Sequence, residues 1–467
     1  MVKGLEREDE NSKIVVDNFV AKWHGLPVTS PSIEILNLVT PLLTTKINSI
    51  FPLTSLNELM GSNVLLFKDG VGVMDLNYSG PVEKNDNTNS FLNGNVSISN
   101  GLLTYLPRGV DMTKVSSKIL FKDSDIFISN LSTEVLGQQI IMNGEGKKLL
   151  SLINSAPQKA IISWNIYSPS LNLTPFSFLL QEKKKKTVNK KGLVETANKM
   201  DNILEDATLD VTFKSPKIKY KNFTAENVEA KILLLPDMYS LKNISMRHAG
   251  GHLNLNGSIT GLNKNRHELN LNANFKGVNV QTVFYSFDNF GQKGIESNNL
   301  EGKLTAKIKA TAVLDKEGKV SPSSINSIID FSLNDGSLIN YEPIKKIQQF
   351  VFKQRDFDNI KFAELKDRLE INNGEIKIGK MEIQSSVLTL IVQGLYSNKG
   401  NTDISIQVPL SNLKKRAKDF DPQNKGVDKK FGTSVFLRGK TGSDGNVEFK
   451  LDLFNKFKKD KERSDKN

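Results

Sequence analysis

Apolar and polar residues alternate along most of this chain. In LEGKLTAKIKATAVL, Leu300, Leu304, Ala306, Ile308 and Ala310 fall on one side, and Glu301, Lys303, Lys307 and Lys309 on the other. ELNLNANF, DISIQVPL and VEFKLDLF repeat the pattern. A period of two is the signature of a β-strand with one apolar and one solvated face. By this criterion the chain holds about fifteen to twenty strand-like runs against about three helical ones. The expected fold class is therefore mainly β.

Residues 331–394 show the grammar most clearly. FSLNDGSL carries Asp335-Gly336 between two alternating runs, and LEINNGEIKIGKMEI carries Asn373-Gly374. Asx-Gly suits a type I′ hairpin turn, in which both central residues need positive φ. A helical piece is expected from Pro343 to about Lys353. The grammar recurs: Leu131, Ile244 and Met381 are each followed by a glycine thirteen positions later, at Gly144, Gly257 and Gly394. Each copy reads as strand, turn, strand. SISNGLLTY around Asn100-Gly101 parallels FSLNDGSLINY. The copies are irregularly spaced, which indicates repeated β-meanders and not a strict solenoid.

In chain order, residues 1–60 read as a polar lead followed by an amphipathic helical segment. Leu42, Leu43, Ile47, Ile50, Leu56 and Leu59 supply its apolar positions, and Pro52 breaks it. Residues 61–180 form a first β segment, with Asp69-Gly70 as a turn and 81–90 as a polar loop. Residues 181–206 join a basic linker, QEKKKKTVNKK, to a short helix marked by Leu193, Ala197, Met200 and Leu204. A second β segment spans 207–412. Residues 413–453 are a basic excursion and a last hairpin at Asp444-Gly445, and the charged tail 454–467 is expected to be disordered.

Composition narrows the classes. Cysteine is absent, which removes disulfides, thiolate nucleophiles and Cys-ligated zinc. The net charge of +12 permits attraction to anionic surfaces, yet most of the lysines sit on the polar strand positions. Aromatic residues do not interleave with a basic stripe, so no nucleic acid is expected as a partner, and no aromatic girdles mark an outer-membrane barrel. No run of about 18 apolar residues reads as a transmembrane helix. The first residues, MVKGLEREDENSK, lack the apolar core of a signal peptide.

Catalytic signatures are missing: no nucleophile elbow, P-loop, dinucleotide fingerprint or H-E-x-x-H. The histidines are His24, His248, His252 and His267. His248 and His252 flank a Gly pair, but carboxylates to complete a metal site are lacking nearby. The chain is therefore expected to be no enzyme, with no cofactor and no metal.

The one-faced strands pose a physical problem. Each offers about three or four apolar side chains, and leaving one in water forgoes about 1.5–3 kcal/mol. Three short helices do not cover such a face. Either the sheet closes on itself as a sandwich, or it curls into a trough filled by something apolar. An acyl chain of about sixteen methylenes, at about 0.8 kcal/mol each, would gain about 13 kcal/mol on leaving water for such a trough. The lining candidates are then Leu253, Leu255, Leu269, Leu271, Leu304, Ile308, Ile376, Ile378, Leu388, Leu390, Ile404 and Ile406.

Five stretches carry a family resemblance: LNELMGSNVLLFKDGVGVMDLNYSGP (56–81), GNVSISNGLLTYLP (94–107), SLKNISMRHAGGHLNLNGSITG (240–261), FSLNDGSLINYEPIKKIQQF (331–350) and KFAELKDRLEINNGEIKIGKMEIQSSVLTLIVQGLYS (361–397). Over about residues 40–410 the chain resembles the C-terminal region of AsmA-family proteins of Gram-negative envelopes. The resemblance implies a long, curled antiparallel sheet forming a taco-like hydrophobic groove, with a few amphipathic helices. It implies a periplasmic, inner-membrane-associated protein that supports outer-membrane assembly, phospholipid transport between membranes or regulation of protein targeting to membranes. Its implied partners are phospholipid or another acyl lipid, the inner or outer membrane, and envelope proteins. The family's N-terminal transmembrane helix and lead strands have no counterpart in the sequence as given. The alternative from the residues alone is a structural or interaction β protein with a closed core and no lipid cargo.

Overall fold

The structure, a computed structural model, describes residues 9–23, 25–60, 64–82, 91–155, 159–180, 207–262, 266–291, 295–342, 345, 355, 357–397, 400–413, 422, 433–442, 447–453, 455 and 458. The expected linker and helix of 181–206, most of the piece at 343–353, the polar loop at 83–90, nearly all of 414–432, the Asp444-Gly445 turn and most of the tail lie outside these residues. The chain divides into two compact units: Met1–Pro216 with Glu229–Lys242, and Lys217–Val228 with Asn243–Asn467.

The protein is mainly β, with 24 strands of a mixed sheet among the described residues. In the first unit these are β1 (Lys13–Trp23), β2 (Leu26–Leu36), β3 (Leu42–Pro52), β4 (Leu65–Pro81), β5 (Phe91–Tyr105), β6 (Val110–Lys122), β7 (Asp125–Val135), β8 (Gln138–Gly146), β9 (Ile161–Tyr167) and β10 (Leu171–Asn172). Three strands have residues in both units: β11 (Thr208–Tyr220), β12 (Phe223–Leu235) and β13 (Met238–His248). The second unit holds β14 (Gly251–Thr260), β15 (Arg266–Asn279), β16 (Leu300–Asp315), β17 (Asn326–Ile339), β18 (Asn359–Lys361), β19 (Leu365–Asn372), β20 (Glu375–Gln384), β21 (Thr389–Tyr396), β22 (Asp403–Pro409), β23 (Ser434–Thr441) and β24 (Val447–Leu451). Among the described residues three short α-helices accompany them: α1 (Ser55–Met60), α2 (Leu149–Ser155) and α3 (Val280–Ser286).

Consecutive strands β1 to β9 pair antiparallel in the first unit, as do β14 to β17 and β19 to β24 in the second. β17 also pairs antiparallel with β18 and β19. The expectation of a purely antiparallel sheet needs correction. β9 and β11 run parallel, in register from Thr208↔Ile161 to Lys214↔Tyr167. A parallel pair needs a long crossover, here the chain between Tyr167 and Thr208, and hairpin signals carry no trace of one.

The helical reading of 33–51 is also overturned. That stretch ends β2 and forms β3, and only α1 after Pro52 is helical. The alternation was hidden because the inward face of β3 mixes Phe51 with Thr45 and Ser49. These hydroxyls are satisfied locally: Thr45 Oγ1 lies 3.0 Å from Ser30 Oγ, and Ser49 Oγ donates to the Pro27 carbonyl. Polar side chains with such partners pack inside a sheet at little penalty. The polar lead, residues 1–30, likewise contains β1 and the start of β2.

Three expected turns are bulges. Asp69-Gly70, Asn100-Gly101 and Asp335-Gly336 lie inside β4, β5 and β17, at breaks in register. Positive φ serves a bulge as well as a type I′ turn, and here the strand carries on. Asn373-Gly374, by contrast, is a two-residue turn between Asn372 and its partner Glu375.

The thirteen-residue repeat has a structural basis in two of its copies. Leu131 pairs with Met142 and Ile128 with Gly144; Met381 pairs with Val392 and Ile378 with Gly394. In both, a register break on the first strand sits opposite the residue before the glycine. A Cβ at Gly394 would lie 2.2 Å from the Asp403 carbonyl oxygen, so only glycine fits the close approach.

Each helix covers a local core. Leu56 of α1 packs on Leu26, Phe51, Leu53, Phe67, Leu103 and Val115. Asn57 fastens α1 to β4, donating to the Phe67 carbonyl at 2.6 Å and accepting from its N–H at 2.9 Å. Leu149 and Leu152 of α2 pack with Ala160, Ile162 and Ala207. Val280 and Phe284 of α3 join the larger cluster of the second unit.

Candidate functional site

The register of the second unit sorts its apolar side chains into rows across the strands. One row runs Leu255, Ala273, Ile308, Ile329, Leu369 and Ile378 through β14, β15, β16, β17, β19 and β20. The next runs Leu271, Ala310, Ser327, Ile371, Ile376 and Tyr396. Ile259, Leu269 and Ala312 form a third. The large side chains in these rows are half-buried.

The opposite face is solvated. Lys307 and Lys309 are exposed there, Asn272 Nδ2 donates to Asn256 Oδ1 at 3.0 Å, and Arg368 Nε lies 2.6 Å from Asp330 Oδ1. The Arg368 guanidinium holds the Asp330 carboxyl below its ordinary range.

The twelve candidate lining residues divide by environment. Leu388, Leu390, Ile404 and Ile406 are buried in one cluster with Val280, Leu333, Leu338, Phe357, Ile360, Val408 and Leu437. Leu304 and Ile378 are partly buried against that cluster. Leu253 is 1% exposed on β14. Leu255, Leu269, Leu271, Ile308 and Ile376 belong to the half-buried rows. Ile329, Leu369 and Ile371 share those rows and were not among the candidates, although the alternation in NSIIDFSL and LKDRLEIN carries their signal. Burial pushes the Tyr341 hydroxyl beside the cluster up to about 12, with the Tyr396 hydroxyl adding to the shift.

His248 stands apart from the rows. It is 2% exposed, and its ring stacks on Phe223 with centroids 4.4 Å apart. Its Nδ1 lies 2.7 Å from the Thr224 carbonyl oxygen, while Nε2 is buried without a hydrogen-bond partner. Burial lowers the His248 pKa against the smaller opposing effect of that hydrogen bond. Phe287 and Phe290 extend the cluster, with Phe287 5.6 Å from Phe223 and 5.6 Å from Phe290. This aromatic group was not anticipated; its signal was VFYSFDNF, four aromatic residues in eight. His252 is exposed, and His267 is buried with Nδ1 2.9 Å from the Gly261 carbonyl oxygen. Among the described residues, no three His, Asp or Glu side chains gather to hold a metal, and no helix is long and apolar enough to cross a membrane.

No family model, curated protein or solved structure matches the chain.

Proposed function

We propose that this chain is a non-enzymatic envelope protein that binds lipid acyl chains along the apolar rows of β14–β20. The observation that carries the reading is the incomplete burial of Leu255, Leu269, Leu271, Ile308 and Ile376, in register across neighbouring strands. Such a stripe, bordered by hydrogen-bonded strands and free of charge, matches an alkyl chain in chemistry and directionality. Transfer of an acyl chain from a bilayer to such a face is nearly neutral, as a conduit requires. The AsmA resemblance supports the same reading: a curled, taco-like groove, a periplasmic location at the inner membrane, and a part in outer-membrane assembly, phospholipid transport or regulation of protein targeting to membranes. Phospholipid, the membranes and envelope proteins are the corresponding partners.

A second reading is favoured by a different observation. Leu388, Leu390, Ile404 and Ile406 are buried among protein side chains, as in a structural or interaction protein with a closed core. Native mass spectrometry of the chain purified in mild detergent separates the two. Phospholipid bound at fixed stoichiometry, and lost in Leu255→Glu and Ile308→Glu variants that still fold, supports the lipid reading. A lipid-free mass with cooperative unfolding supports the closed core.

A further inference from the structure

We infer that the α3 end of the second unit docks on the surface of an anionic phospholipid bilayer. Three pieces of chain meet there: the Lys221-Asn222 turn after β11, the Ala249-Gly250 turn after β13, and α3 with the turn that follows it. Ring contacts and a backbone hydrogen bond tie them together. Phe223 stacks on His248 at 4.4 Å and meets Phe287 at 5.6 Å, and the Asn279 N–H donates to the Ala249 carbonyl at 2.8 Å.

The turn after α3 has an uncommon backbone. Asp288, Asn289, Phe290 and Gly291 all have positive φ, at 51°, 49°, 55° and 68°. A bulky residue such as Phe290 adopts this conformation only where its surroundings impose it, and such strain concentrates at functional surfaces. Asn289 Oδ1 accepts from the Ser297 N–H at 2.8 Å and holds the turn. The result is that Phe287 and Phe290 stand side by side, their planes 14° apart.

These rings point outward. Tyr285 is 58% exposed and Phe290 57%, with Phe287 and Tyr220 also exposed. Lys219 and Lys221 are exposed at the first turn, Arg247 beside the second, Lys276 just before α3 and Lys303 opposite Asn279, with Asp288, Glu296 and Glu301 as exposed carboxylates on the same segments. Aromatic rings favour the headgroup level of a bilayer, and a surplus of cations is attracted to anionic headgroups. Turn tips that carry rings and ammonium groups together suit a flat and deformable surface more than a peptide.

This surface is distinct from the apolar rows, although its purpose rests on the lipid reading, and the two are tested apart. Full-length protein is sedimented with vesicles of phosphatidylglycerol and phosphatidylethanolamine, and with vesicles of phosphatidylcholine alone. The expected result is salt-sensitive binding to the anionic vesicles, weakened on the order of tenfold in Phe287→Ser/Phe290→Ser and in the helix-surface variant Tyr285→Ser. Phe290→Trp should emit at shorter wavelength when anionic vesicles are added, and Ile308→Glu should dock like the parent. Three outcomes overturn the proposal: no sedimentation with anionic vesicles, unchanged Phe290→Trp emission, or loss of docking in Ile308→Glu. A chain that fails to dock yet carries phospholipid in native mass spectra leaves the lipid reading standing and assigns the α3 end to a protein contact.

Discussion

Gly302 on β16 and Gly336 on β17 face each other so closely that a Cβ on Gly302 would lie 2.9 Å from the Cα of Gly336. The first unit repeats the arrangement with Gly70 on β4 and Gly101 on β5, where the corresponding distance is 2.6 Å. In each pair one glycine has φ beyond +110°, and the other follows an Asn or Asp of positive φ. A buried leucine lies over each site, Leu333 in one and Leu53 in the other. The two units therefore share a kink that lets a long strand bend while its pairing continues.

Gly302→Ala should be destabilising by about 2 kcal/mol or more, because φ of +127° strains any Cβ and the neighbouring backbone blocks it. Gly379→Ala on β20 is the control, since nothing lies within 4 Å of the added methyl. Urea midpoints of the two variants check this; equal midpoints would remove the kink's steric basis.

How far the sequence announced this architecture depends on the position. The alternation in β15, β16 and β22 was plain, and it placed Ile308 and Leu271 on the apolar side as observed. The Asx-Gly pairs reported a need for positive φ correctly but not its use. At Asn373 the chain reverses and at Asp335 it continues, and the difference lies with Gly302, a partner on another strand. β3 was obscured by Thr45 and Ser49, whose burial depends on partners from β2. The His248 cluster depends on Phe223 and Phe287, remote in sequence, and no periodicity brings those together.

His248 gives a pH dependence. Its pKa in the folded chain lies below the ordinary 6.5, so the unfolded chain binds the proton more readily. The penalty is absent above about 6.5 and grows as pH falls through the folded value. The parent should lose stability between pH 8 and pH 5 beyond the loss in His248→Gln, which keeps a donor for the Thr224 carbonyl. Denaturation midpoints at both pH values measure the difference; an identical loss in both proteins would refute the assignment.

Arg438 and Asp403 form a two-pronged pair between β23 and β22, Nε to Oδ1 at 2.7 Å and Nη2 to Oδ2 at 2.5 Å. The Arg438 side chain is only 16% exposed, which limits solvent screening. Arg438→Gln should cost about 1–3 kcal/mol, since it leaves a part-buried carboxylate short of its partner. Arg438→Lys should recover only part of this, because an ammonium does not reproduce the fork. Full recovery in thermal melts would show that charge alone matters.

Ile308 and Leu390 test what the apolar face is for. Both alternate inward, yet Ile308 is half-buried in a row across β14–β20, while Leu390 is packed among Leu388, Ile404 and Phe357. A carboxylate at an incompletely buried position keeps a path to water, so Ile308→Glu should cost about 1–2 kcal/mol and fold. At Leu390 the charge would be sealed from water and the packing lost, at a cost of about 3–5 kcal/mol. If the rows receive acyl chains, a fluorescent fatty acid should bind the parent and fail to bind Ile308→Glu while the melt of that variant stays cooperative. If Ile308→Glu unfolds as readily as Leu390→Glu, the rows are ordinary core, and the function must be sought in protein contacts instead.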